Sequence, residues 1–300
     1  MRKSGGGKIS KAAKATRSGL KRYPKQILES IRDPKAKRAP TPTGKLPILS
    51  GHELAATWLG HATTLIAIGG KRVLTDPVFS HRIGMRMGGV TMGLSRTKPA
   101  PVEPEDLPPV DLVLISHAHF DHLDKPSLER LAFDDTVLIT SRQTRRLIPP
   151  GYRHVIELDW NKTVRVGGLK ISAIRPEHWG ARAAVDRNRG FNAYVIESGD
   201  HRVLFAGDTA ETDAFDHLEH IRLAIFGIGA YEPWEHAHAT PEQVWEMFKR
   251  VGAEYLMPVH HSTFPMGDEH EDEPLERLTK AAGERADRIV CRRAGDKWHV

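Results

Sequence analysis

The chain has 300 residues, 39% hydrophobic and 27% charged, with 26 Gly and 20 Pro spread along it, a balance that fits a soluble globular protein and excludes a collagen-like or wholly disordered one. Its longest apolar runs are about six residues, against the roughly 20 that a membrane-crossing helix needs. The net charge of +6 is unevenly placed: residues 1–45 hold 14 of the 44 Lys and Arg but only two of the 38 acids, so the remainder is acidic, with 30 bases against 36 acids. The single cysteine, Cys291, can form neither an intramolecular disulfide nor a Cys-x-x-Cys metal site, so any metal must be held by histidine and carboxylate. All 17 histidines lie beyond residue 45.

Residues 1–45 read as a flexible basic arm and 46–300 as one folded domain, because the arm has too few large apolar residues to offset its ordering entropy. Leu20, Tyr23, Ile27 and Ile31 form a weak stripe broken by Pro24, which allows at most a short helix near residues 25–31. The arm suits a solvated tail or contact with an anionic membrane surface. Tyr23 alone offers a stacking platform, so nucleic acid is not an expected partner. A basic start without an apolar stretch after it predicts a cytoplasmic protein, or one peripheral to the inner membrane surface.

Beyond the arm, β-branched runs predict strands at Leu54–Trp58, Thr64–Ile68, Arg72–Thr75, Leu112–Ile115, Val137–Thr140, Lys170–Ile174, Phe191–Glu197, Val203–Phe205, Leu223–Phe226 and Leu256–Val259. Helices are predicted at Ser127–Ala132, Ser141–Ile148, Thr212–Glu219, Pro241–Val251 and Pro274–Ala282, the fourth with Thr240 as N-cap and Pro241 at its first position. Residues 80–110, including the GMRMGG stretch at 84–89, read as a loop. Interleaved strands and helices without a strict βαβ rhythm imply a layered α/β fold.

The chemistry concentrates in DLVLISHAHFDHLD, residues 111–124. An apolar strand ends at Ser116, and His117, His119, Asp121 and His122 follow within six residues. Extended residues two apart point the same way, so His117 and His119 can meet one ion, while a turn at Asp121 aims Asp121 and His122 at a second. Asp124 then caps a helix with Pro126 in its first turn. Neither a Gly-x-Ser-x-Gly nucleophile elbow nor a P-loop is present, which removes serine hydrolases and nucleoside triphosphatases from consideration.

SHAHFDHLD resembles the signature of the metallo-β-lactamase superfamily. With TWLGHATTLI, LTDPVF, IRPEHW, LFAGDT, GIGAYEPW, HATPEQV and PVHHSTF in the same order, residues 46–282 resemble the branch that contains N-acyl phosphatidylethanolamine-hydrolysing phospholipase D and its bacterial homologues. The resemblance implies an αββα sandwich, two mixed β-sheets flanked by helices, with two divalent metal ions between the sheets, zinc first and manganese, iron or nickel as alternatives. It implies that His117, His119 and His178 hold the first metal, that Asp121, His122 and His260 hold the second, and that Asp208 bridges them. Asp121, Asp208 and His238 then serve catalysis, with His238 near the substrate or leaving group, while His61, Asp76 and His261 support the ligands or line the pocket. The implied activity is a hydrolase, foremost a phosphodiesterase of a lipid or small molecule using a metal-bridging hydroxide. A lactonase or amide and β-lactam hydrolase is the alternative on the same site, and a nucleic-acid-binding protein with a basic arm is the non-enzyme alternative.

Overall fold

The computed structural model describes residues 52–87, 90–182, 186 and 188–300; the predicted arm lies outside them. The described elements run in the order β1 (Leu54–Gly60), β2 (Thr63–Ile68), β3 (Lys71–Thr75), β4 (Arg82–Met87), β5 (Val90–Ser95), β6 (Leu112–Ile115), α1 (Lys125–Arg130), β7 (Val137–Ser141), β8 (His154–Leu158), β9 (Thr163–Val166), β10 (Leu169–Ile174), β11 (Ala193–Ser198), β12 (His201–Phe205), β13 (Leu223–Gly227), α2 (Pro241–Val251), β14 (Tyr255–Val259), α3 (Glu273–Ala282) and β15 (Lys297–His299). One sheet has the order β15-β1-β2-β3-β6-β7-β8 and the other β14-β13-β12-β11-β10-β9. Both are mixed: β3, β6, β7 and β8 run parallel, as do β12, β13 and β14.

Alternation within single strands explains the layers. Leu112 and Leu114 of β6 enter the core between the sheets together with Leu223 and Ile225 of β13. On the opposite faces, Val113 and Ile115 pack with Leu128 of α1, and Ala224 and Phe226 pack with Val244 and Phe248 of α2. Each strand therefore buries both faces, one against the other sheet and one against a helix, and the result is the αββα sandwich. The start of α2 is as expected: Thr240 and Gln243 form a reciprocal capping box with Pro241 beside it. Among the described residues no helix is long and apolar enough to cross a membrane.

Three segments differ from expectation. The supposed loop at 80–110 contains the antiparallel pair β4 and β5, in which Gly84 faces Gly93. A Cβ on Gly84 would lie 2.0 Å from the Met92 carbonyl oxygen, so residues that resemble loop punctuation are what let these two strands approach. The predicted helix at Ser141–Ile148 is instead the end of β7 and a single 3-10 turn at Arg145–Leu147. Gln143 has a φ of 61° and Pro149 restricts Ile148, so no longer helix forms. Thr212–Glu219 is a pair of turns closed by Asp216 N–H to Asp213 O and Leu218 N–H to Phe215 O; these three-residue steps bury Phe215 and Leu218 much as a helix would. Strands β8, β9 and β15 were not expected from the sequence. All three are sheet edges, where one face meets solvent and the apolar pattern is weak.

Candidate metal centre

The side chains of interest come from one rim. Strands β1 and β3 share a direction, as do β10 and β12, because each pair flanks one antiparallel neighbour. Chain direction thus delivers His61 after β1, Asp76 after β3, His117 after β6, His178 after β10, Asp208 after β12 and His260 after β14 to strand C-terminal ends. His61, Asp76 and His260 have left-handed backbones with φ of 51°, 32° and 62°. Such conformations cost about 1–3 kcal/mol each for residues other than glycine and cluster where function requires an unusual side-chain direction. His61 is fixed on three sides: its N–H donates to Thr263 Oγ1 at 2.8 Å, and its carbonyl accepts from Trp58 Nε1 at 2.8 Å and from the His260 N–H at 2.9 Å.

Two sets of four donors result, in each of which the donor atoms lie within 4.8 Å of one another: His117, His119, His178 and Asp208, and His61, Asp121, His122 and His260. In the first, His117 Nε2 is 2.8 Å and His178 Nε2 is 3.5 Å from His119 Nδ1, and Asp208 Oδ2 is 3.8 Å from both Nε2 atoms. In the second, Asp121 Oδ2 lies 2.9 Å from His61 Nε2, 3.2 Å from His260 Nε2 and 3.3 Å from His122 Nε2. Asp208 reaches across, its Oδ2 3.1 Å from His122 Nε2 and 3.4 Å from His260 Nε2.

Neighbouring residues aim these rings. Asp76 is fully buried and accepts from the Ser116 N–H at 2.7 Å, from Ser116 Oγ at 2.5 Å and from His122 Nδ1 at 2.6 Å. With its proton given to Asp76, Ser116 Oγ can accept from His117 Nδ1 at 2.9 Å. His178 Nδ1 donates to the Ala237 carbonyl at 3.0 Å. These contacts place a proton on Nδ1 of all three rings and turn each Nε2 towards the site.

The electrostatics divide the two sets. Burial, reinforced by neighbouring imidazoles, lowers His117 well below its ordinary value. Burial likewise lowers His119 to about 3 and His178 to about 4, so the three imidazoles of the first set are neutral and keep their lone pairs. In the second set burial opposes protonation of His122 and His260, but the Asp208 and Asp121 carboxylates prevail, raising His122 well above its usual value and His260 to about 9. Burial would also raise Asp121 and Asp208, yet the facing His122 holds both well below the carboxylate range. Asp208 Oδ2 and His122 Nε2 are buried without a hydrogen bond although they face each other closely. A converging, buried set of imidazole and carboxylate donors of this kind fits divalent cations.

Of the other predicted residues, His238 joins Asp208 and His260 in a further donor set, its Nδ1 3.9 Å from Asp208 Oδ2. His261 belongs to no donor set; its ring stacks on Trp58 at 4.6 Å and its Nδ1 is 2.9 Å from Ser262 Oγ. Sequence reasoning placed His61 in a supporting or lining role; in the structure its Nε2 lies 2.9 Å from Asp121 Oδ2, close to the second group of donors. It overlooked Ser116, which stood in plain view beside His117, and Thr263, which no local pattern distinguishes.

Residues 71–261 match the model of the beta-lactamase superfamily domain. An uncharacterized protein of Mycobacterium tuberculosis, Rv0906, is 33% identical over 265 residues, covering 81% of this chain and 68% of its own. N-acyl-phosphatidylethanolamine-hydrolyzing phospholipase D 1 of Caenorhabditis elegans is 32% identical over 256 residues, covering 78% of this chain and 71% of its own. Among solved structures, the isothiocyanate hydrolase from Delia radicum gut bacteria superposes with a TM-score of 0.64 at 18% identity, covering 82% of this chain and 99% of that one, a likeness of fold. With the same fold, a rim crowded with metal donors and relatives of this identity, the chain belongs to the metallo-β-lactamase superfamily, in the branch of the N-acyl phosphatidylethanolamine-hydrolysing phospholipases D, and is a metal-dependent hydrolase.

Proposed function

We propose that the protein hydrolyses phosphodiesters, foremost those of lipids, at a dinuclear centre. The observation that carries this reading is the Asp208 carboxylate, whose Oδ2 faces His117 and His178 on one side and His122 and His260 on the other. His117, His119 and His178 would hold one cation and Asp121, His122 and His260 the other, with Asp208 shared. When bound, such cations would supply Lewis-acid activation of water and of a phosphoryl oxygen.

The chain's own residues supply the rest. His61 fixes the Asp121 carboxylate, and Ser116 and Asp76 fix His117 and His122, so no ring has to reorient as charge develops. His238 is lowered well below its ordinary value by burial, so it stays neutral and acts on the leaving oxygen as a hydrogen-bond donor rather than as a proton source. Trp179, directly after His178, is 55% exposed and meets the His119 ring edge-on at 5.0 Å, giving an organic substituent an apolar surface beside the donors. The name of the C. elegans relative supports a lipid phosphodiester.

Elemental analysis with a substrate panel tests the reading. It expects about two metal ions per chain and turnover of bis-4-nitrophenyl phosphate without turnover of lactones. A single ion per chain rejects the shared Asp208, and lactone hydrolysis without phosphodiester hydrolysis rejects the substrate class.

A further inference from the structure

The segment that carries His178 comes from one sheet, and the loop that carries His119, Asp121 and His122 comes from the other. Arg182, just beyond His178, spans the gap. Its Nη1 donates to the carbonyl oxygens of Ala118 and of Leu123, both at 2.9 Å, so one nitrogen ties together the two ends of the donor loop. Its guanidinium also lies over the Phe120 ring at 4.1 Å from the centroid.

We infer that Arg182 is a positioning residue that locks the donor loop 118–123 to the segment bearing His178 and so sets the spacing of the two donor sets. The loop's main-chain bonds are the His122 and Leu123 N–H groups on the His119 carbonyl, which close a turn, while its side chains meet His61, Asp76, His178 and His260; Arg182 is the side chain that holds the main chain at both ends of the loop. Ala118 and Leu123 are both fully buried, so without Arg182 their carbonyls would lose these partners away from water, at about 1–3 kcal/mol for each group left unsatisfied. The segment that carries Arg182 is itself held firmly. A Cβ on Gly180 would lie 2.3 Å from the Gly190 carbonyl oxygen, so this backbone packs directly on residues 189–190, and the Gly190 N–H donates to the Arg142 carbonyl just beyond β7. Burial lowers the Arg182 pKa only to about 10, so it remains a cation at neutral pH. Lysine is an incomplete substitute: an ammonium can donate to both carbonyls but has no plane to lay on Phe120.

This inference rests on reading the rim as a metal centre, and the test keeps the two apart by including a measurement on metal-free protein. In apo protein, Arg182→Met should speed hydrogen exchange of the amides in residues 118–123 without a matching change in strands β6 and β10. In metal-loaded protein the same variant should lower metal affinity by about 10–100-fold, as removal of a partner that orients ligands does, and shift the visible bands of the cobalt-substituted form. Arg182→Lys should fall between wild type and Arg182→Met on each measure. Unchanged loop exchange, or affinity and cobalt bands equal to wild type in a folded Arg182→Met, overturns the inference. If Arg182→Met does not fold, Arg182→Lys decides: faster loop exchange supports the inference, and wild-type exchange overturns it. Failure of the wild-type protein to bind metal would refute the metal centre, while loop exchange would still report on the clamp.

Discussion

Asp76 makes its contribution at one remove from the donors. Its carboxylate accepts one hydrogen bond from His122 and two from Ser116, and Ser116 in turn steadies His117, so one buried acid orients a ring in each donor set. Asp76→Ala should therefore lower metal affinity by about 10–100-fold although no donor is removed, which a competition titration with a chromophoric chelator would measure. Wild-type affinity would mean that packing alone holds the two rings. Much of this scale was legible in the sequence. His117, His119, Asp121 and His122 announce themselves by spacing, whereas His178, Asp208 and His260 are isolated in the chain and became candidates only through family resemblance. The approach of His61 to Asp121 was not legible, because its side chain is redirected by a left-handed backbone that spacing does not encode.

At the scale of elements, the strands inside the two large sheets were foreseen, and of their edge strands only β14 was. Central strands such as β6 and β13 bury both faces and read as continuous apolar runs, while β8 and β9 leave alternate residues exposed and look like loops. Strand β15 is only three residues long, yet its Trp298 is buried in the core between the sheets, pairs with Ala56 and meets Tyr255 at 5.1 Å. Trp298→Ala should cost about 3–5 kcal/mol of stability, read as a lower midpoint in denaturant titration. A loss below about 1 kcal/mol would show that this edge is not part of the cooperative core.

For the whole molecule, the sandwich brings donors from distant parts of the sequence to one rim, where they carry protons that a cation must displace. Because the carboxylates raise His260 to about 9, its ring is protonated at neutral pH in the metal-free protein and must lose that proton to become a donor. Apparent metal affinity should therefore rise with pH up to about 9. Calorimetric titrations in buffers of different ionisation enthalpy should show proton release on binding; the absence of release near pH 7 would remove the protonated His260 from the account. By mass action, metal at about 1,000 times its dissociation constant stabilises the fold by about 4 kcal/mol, so a chelator should lower the melting temperature by the corresponding amount.

The pairing of β15 with β1 also orders events in time. Ala55 of the first strand in the seven-stranded sheet waits for His299, almost the entire described chain later, before its outer edge is satisfied. During synthesis on the ribosome, that edge would stand open with its N–H and C=O groups available to any extended peptide nearby. A nascent chain stalled before residue 297 should therefore associate with itself or with chaperones in a way the finished chain does not.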